Sequence, residues 1–162
     1  MYITYDDYVA LYGEDRIPES DFDRINFKVQ RTLDQYTTGI DNVKKLREAF
    51  PEDEEDAANV KACGCCLADV FYQIEQVGAV ALEAYKGEET ANGRKGGVIS
   101  SMSAGNESIS YATGGGETLV EKASADVQAR QLFLADTVRA YLSGVTDKNG
   151  VNLLYMGRYP RG

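Results

Sequence analysis

Four stretches of this 162-residue chain hold residue types that do chemistry in other settings. Cys63 and Cys66 make a C-x-x-C pair, the spacing of many redox and zinc sites. They fall at i, i+3 of a helical pattern, on the face that already carries Val60 and Leu67. There is no second cysteine pair, and the chain has no histidine to complete four ligands. They read as small core residues, the usual role of free cysteine. Gly93-Arg94-Lys95-Gly96-Gly97 has the glycines of a phosphate loop. A P-loop, however, needs G-x-x-x-x-G-K-S/T between a strand and a helix, and here the lysine precedes the last two glycines in a loop leading from helix to strand. Asp147-Lys148-Asn149-Gly150 begins like a calcium loop, but Leu and Tyr hold the later ligand positions, so it reads as a turn. Glu52 to Asp56 are five consecutive carboxylates, and such a run at a helix start is ordinarily a solvated face complementing the helix dipole.

Without histidine the chain lacks the commonest general base and the commonest metal ligand. No nucleophile, base and orienter converge in the sequence. The expectation is a protein that is not an enzyme, with no cofactor and no bound metal. The alternative is a small cytoplasmic acidic helical enzyme or regulator holding a divalent metal on Glu52 to Asp56. The formal charge of -9, from 26 acidic and 17 basic residues, argues against a protein that grips nucleic acid by neutralising phosphates. A channel surface that DNA slides past is compatible with it. Met1 leads straight into a Tyr- and Asp-rich segment unlike a signal peptide, and no window approaches the apolar length of a membrane span. Cys63, Cys65 and Cys66 lie too close along one helix to frame disulfides. Synthesis in a reducing cytoplasm and no contact with a membrane are therefore expected.

The elements that must position these residues are mainly α-helical. Glu52 to Lys86 carries Val60, Cys63, Leu67, Val70, Phe71, Ile74, Val77 and Ala81 at helical spacing, with Gly87 as its stop; it reads as one long central helix. Gly64 and Gly78 predict a kink or a close helix crossing. Before it, Thr4 and Asp7 form a capping box for a short helix carrying Tyr5, Tyr8, Val9 and Tyr12, which Gly13 ends. Pro18, Ser20 and Asp23 open a second helix with Phe22, Ile25, Val29, Leu33 and Tyr36, ended by Thr37, Thr38 and Gly39. A third, short segment runs from Asp41 to Phe50, and Pro51 breaks it.

After the central helix the texture changes. Val98 to Ser103, a turn at Ala104-Gly105-Asn106 and the alternation Glu107 to Tyr111 predict a β-hairpin arm over 97–112, with Gly114 to Gly116 as a hinge. A last helix from Thr118 or Ser124 to Leu142 carries Val127, Leu132, Leu134, Val138, Tyr141 and Leu142. The chain thus reads as one domain over 1–162: a small helical bundle (4–87 and 118–143) around the long helix, an inserted hairpin, and an extended C-terminal tail over 145–162. An isolated two-stranded hairpin is marginal in water, and Leu153-Leu154-Tyr155-Met156 at a loose terminus would be an exposed apolar patch unless it docks on its own bundle or on a partner. Both features suggest assembly.

Several segments in succession carry a resemblance: Tyr2-Ile3-Thr4 to Gly13, Ile17-Pro18-Glu19-Ser20-Asp21-Phe22, Arg31-Thr32-Leu33-Asp34, the hairpin Ser103 to Tyr111, and Gly150-Val151-Asn152-Leu153-Leu154-Tyr155-Met156-Gly157-Arg158. Together they resemble the head–tail connector, or adaptor, proteins of long-tailed bacteriophages and related prophages. Glu88 to Gly97 and Thr113 to Thr118 have no counterpart in the pattern. The resemblance implies a structural virion protein made in the host cytoplasm and placed in the neck. There it would form a ring, commonly dodecameric, beneath the portal after DNA packaging. That ring would extend the DNA channel, pass DNA without specific binding, and receive the next connector (stopper) or tail protein. It also implies that Leu153, Leu154, Tyr155, Met156 and Arg158 reach the portal, and that Val98, Ile99, Met102, Ile109 and Tyr111 contact a neighbouring subunit or the next ring.

Overall fold

The computed structural model describes residues 1–88, 101–104, 107–110 and 118–160, with side chains described over 1–83 and 118–160. The protein is mainly helical. Helix α1 (Tyr5–Tyr12) starts on the expected capping box: Thr4 Oγ1 accepts from the Asp7 N–H, and the Asp7 carboxylate accepts from the Thr4 N–H. It ends at Gly13, whose φ of +84° suits a residue without a Cβ. Helix α2 (Glu19–Thr37) begins differently from the expectation. Pro18, not Ser20, occupies the boundary, and its carbonyl accepts from the N–H groups of Asp21 and Phe22. Proline fixes φ near the value a helix start requires but has no side chain that can accept from the first-turn N–H groups, so this end has no side-chain cap. The helix buries Phe22, Ile25, Val29 and Leu33. It ends where the Thr37 and Thr38 hydroxyls donate to the carbonyls of Leu33 and Asp34. Of the third segment only one turn is helical, α3 (Lys45–Glu48).

The long helix α4 (Glu54–Glu88) is 35 residues, about 50 Å at 1.5 Å per residue. Asp53 caps it by accepting from the N–H groups of Glu55 and Asp56. Gly87 does not stop it, because the helix continues through to Glu88. Over Glu54–Glu83 it is long and apolar enough, by length and composition, to cross a membrane, contrary to the sequence expectation. In the fold, Val60, Cys63, Leu67, Ala68, Val70 and Ile74 on this helix are core residues. The two glycines differ. A methyl group on Gly64 would come within 2.6 Å of Ile3 Cγ2, so this glycine permits a close approach of the N-terminal strand of chain. Among the described residues a methyl group on Gly78 would meet nothing within 4 Å, and no close crossing is seen there.

Two four-residue strands, β1 (Ser101–Ala104) and β2 (Glu107–Ser110), pair antiparallel with Met102 opposite Ile109. The rest of the expected arm, including Val98, Ile99, Tyr111, the turn and the glycine hinge, lies outside the described residues.

The expected last helix is in fact two. Helix α5 (Leu119–Ala125) has a Thr118/Glu121 capping box, and α6 (Val127–Leu142) starts afresh on Asp126, whose carboxylate accepts from the N–H groups of Gln128 and Ala129. Arg130 closes the joint by donating to the carbonyls of Ala123 and Ser124 at the end of α5. The break leaves Val127 and Leu132 exposed, while Leu134, Val138 and Leu142 are buried. Helices α1, α2, α5 and α6 all pack on α4, and a single core cluster joins residues from Tyr2 to Leu153.

Candidate functional site

The C-terminal segment is where a terminal stretch of chain, a buried cation and exposed apolar side chains meet. It is not extended. After α6, Gly144 (φ +88°) turns the chain. A β-bridge between Thr146 and Asn152, with Leu153 N–H donating to Val145 O at 3.0 Å, folds 145–153 back on itself. Asp147, 3% exposed, organises this turn: Oδ1 accepts from the N–H groups of Asn149 and Val151, and Oδ2 accepts from the Tyr159 hydroxyl at 2.6 Å. Burial, followed by the bond to Asp147, raises the pKa of the Tyr159 hydroxyl.

The folded segment is then fastened to the bundle from three sides. At the start of α4, Asp56 Oδ2 accepts from both the N–H and the hydroxyl of Thr146, each at 2.9 Å. From the loop before α3, Ile40 N–H donates to Met156 O at 3.1 Å, and Asp41 accepts from Tyr159 N–H at 2.8 Å. Gly39 allows this approach, since a methyl group there would lie 2.5 Å from Gly157 O. The third fastening is Lys45 of α3, which is fully buried. Its ammonium donates to the carbonyls of Leu153 (2.8 Å), Asn152 (3.4 Å) and Tyr155, and sits 5.9 Å from the centre of the Tyr155 ring. Burial lowers the Lys45 pKa below the ordinary lysine value, and the charges of Asp147 and Asp41 oppose that shift.

Of the five residues expected to reach a partner, Leu153 is fully buried in the chain's own core and Leu154 is half-buried. Tyr155 (49% exposed), Met156 (46%) and Arg158 remain on the outside. The tail therefore docks on its own bundle through Leu153 and its backbone, and projects only its tip. Of the expected hairpin contacts, Met102 and Ile109 are placed only as a register pair. Sequence reading missed Lys45, Ile40 and Asp56. Lys45 carries no local signal, being one of two adjacent lysines in a polar-looking stretch. Asp56 was hidden inside a run of like charges.

Among the other candidates, Gly93 to Gly97 lies outside the described residues. Of the C-x-x-C pair, Cys63 is fully buried in the core as expected while Cys66 is only partly buried; burial pushes the thiols of Cys63 and of its neighbour Cys65 up to about 12, the opposite of a reactive thiolate. In the acidic run, Asp53 is a cap and Asp56 a tether. Among the described residues no group of three or more Cys, Asp or Glu is arranged to hold a metal. In a surface depression of about 470 Å³, lined by Met1, Tyr2, Gln30, Leu46, Arg47 and Phe50, the Tyr2 hydroxyl and the Arg47 guanidinium are both already bound to Asp34. No protein-family model, curated protein or solved structure matches the chain.

Proposed function

We propose that this chain is a structural, non-enzymatic subunit of a head–tail connector ring. It would stand between the portal and the tail of a long-tailed phage or prophage particle, extending the DNA channel and completing the head after packaging. The observation that carries the reading is the clamped C-terminal tip. A buried lysine spends its hydrogen bonds on backbone carbonyls, and the side chains of Tyr155, Met156 and Arg158 are left pointing outward. A segment held chiefly by its backbone, with the side chains of its tip about half exposed, is suited to docking, because little ordering entropy is lost when a partner arrives. The succession of segments resembling connector proteins gives the partners: a portal on one side, and a stopper or tail protein on the other. The charge of -9 suits a channel wall, which must repel phosphates for DNA to pass. The β1–β2 ladder would contribute to a neighbour or to the next ring.

The test is the native mass of the purified protein over a wide concentration range, with negative-stain images of the most concentrated sample. Closed rings with a central hole are the expected outcome. A chain that stays monomeric alone and also fails to bind a portal ring would overturn the proposal. The rival metal-dependent reading predicts thermal stabilisation by micromolar Mg²⁺ or Mn²⁺. The roles of Asp53 and Asp56 as cap and tether supply no reason to expect it.

A further inference from the structure

The tip of the tail is part of a larger surface. Ile40, 74% exposed, lies on the loop stitched to Met156 by the backbone bond at 3.1 Å, so Ile40, Tyr155 and Met156 form one apolar patch from two segments far apart in sequence. Other exposed apolar side chains, such as Phe27 and Leu132, sit singly among the polar residues of their helices, where isolated exposure is ordinary. Lys44, Lys148 and Arg158 are exposed on the same two segments and the adjoining turn. Among the described residues none of the three takes part in an ion pair, although Arg24, Lys28, Arg47 and Lys61 all do. The start of α4 carries the complement: Glu52, Glu54 and Glu55 are exposed and likewise outside every described ion pair. One end of the molecule thus has an apolar, basic-rimmed patch and an acidic patch whose charges do not neutralise one another within the chain.

We propose that the occupant of the Ile40–Tyr155–Met156 patch is a second copy of this chain, docked through the acidic start of its α4. The inference rests on the reading that the subunits assemble, and it names the surface by which they do so. Charge decides between the possible pairings. Patch on patch brings base to base and helix start on helix start brings acid to acid, whereas patch-to-helix-start contact joins unlike charges. A contact between two different surfaces propagates head-to-tail when the rotation relating the copies is not two-fold, and under the connector reading that rotation closes a ring. The Lys45 clamp and the Asp56 tether fix the patch before the neighbour arrives.

Two charge-reversed chains test this by sedimentation: one with Lys44→Glu, Lys148→Glu and Arg158→Glu, the other with Glu52→Lys, Glu54→Lys and Glu55→Lys. Each alone is expected to associate roughly ten-fold more weakly than the parent chain, as three rim contacts of a few tenths of a kcal/mol to 1 kcal/mol imply. An equimolar mixture is expected to recover association, because every contact in an alternating ring again joins unlike charges. Parent association should weaken as salt rises. If the parent forms rings and both variants form them equally well, this surface is wrong and the connector reading stands. A parent that stays monomeric at every salt and concentration overturns the second-copy proposal and leaves the connector reading to be decided on a portal ring. Circular dichroism of each variant separates misfolding from lost association; should either triple variant unfold, Tyr155→Ala with Met156→Ala is the substitute, and unchanged association of that chain overturns the proposal.

Discussion

With its ammonium buried and three backbone carbonyls as hydrogen-bond partners, Lys45 holds a terminal segment mainly through its backbone, with the Tyr155 ring 5.9 Å away as the one side-chain contact described. Lys45→Met keeps much of the stem volume and deletes those bonds, stranding carbonyls near the core. The expected loss is about 1–3 kcal/mol of unfolding free energy, with faster tryptic cleavage after Lys148 and Arg158, read by thermal melts and limited proteolysis. Unchanged cleavage would mean that the tail is held by its turn alone. The pH dependence has a definite sign. Folding lowers the Lys45 pKa below its ordinary 10.5, so the unfolded chain holds more protons there, and the contribution of Lys45 to stability grows as pH rises towards 10.5. Tyr2, Tyr8 and Tyr12 act oppositely. Burial raises all three hydroxyls above the ordinary 10.0, so the stability they contribute is complete below that pH and is lost above it. Three groups outweigh one, and unfolding is expected on titration above pH 10. Tyr2→Phe should make that fall shallower; an equally steep fall would remove Tyr2 from the account.

At the scale of the element, α4 was legible before any coordinates because its apolar residues recur every three or four positions and its carboxylates sit at the start. The box at Thr4 and the stop at Gly13 were equally legible, since each is a local exchange of hydrogen bonds within a few residues. What could not be read was any feature set by residues distant in sequence. The break at Asp126 is a nearer case: Asp126 is a good N-cap, but the helical pattern runs across it, and Arg130 donates back to Ala123 and Ser124 only once the break is made. Gly64 and Gly78 show the same limit, because only packing against Ile3 and Val29 distinguishes them. Gly78→Ala is expected to stabilise the protein by about 1 kcal/mol through helix propensity alone. Gly64→Ala gains the same propensity and loses about 1–3 kcal/mol to the clash with Ile3, for a net effect that is neutral to destabilising. Denaturant unfolding of the two variants checks the contrast, and equal stabilisation of both would show that the Ile3 contact yields freely.

At the scale of the whole molecule, the C-terminal segment has two parts with different tasks. The run Leu153 to Arg158 reads as one docking unit in sequence because Leu153 to Met156 are consecutive apolar residues near the terminus. Burial divides it: Leu153 faces the core, while Tyr155, Met156 and Arg158 face outward, and only the distant residues Lys45, Ile40 and Asp41 create that division. Truncation after Asn152 would therefore confound folding with assembly. It removes a fully buried leucine together with carbonyl partners of a buried ammonium. Leu153→Ala alone is expected to cost about 2–5 kcal/mol, as large-to-small changes in a packed core do. Tyr155→Ala with Met156→Ala removes side chains that are about half exposed and leaves Leu153 and the carbonyls in place. Such surface changes should shift stability by no more than about 0.5 kcal/mol. The pair of variants thus separates the two tasks in one experiment on melting temperature and native mass. Leu153→Ala should melt earlier yet still associate when cooled well below its midpoint, and the double variant should melt with the parent and stay dissociated. If both lose stability together, the tip belongs to the core, and the docking surface must be sought elsewhere on the molecule.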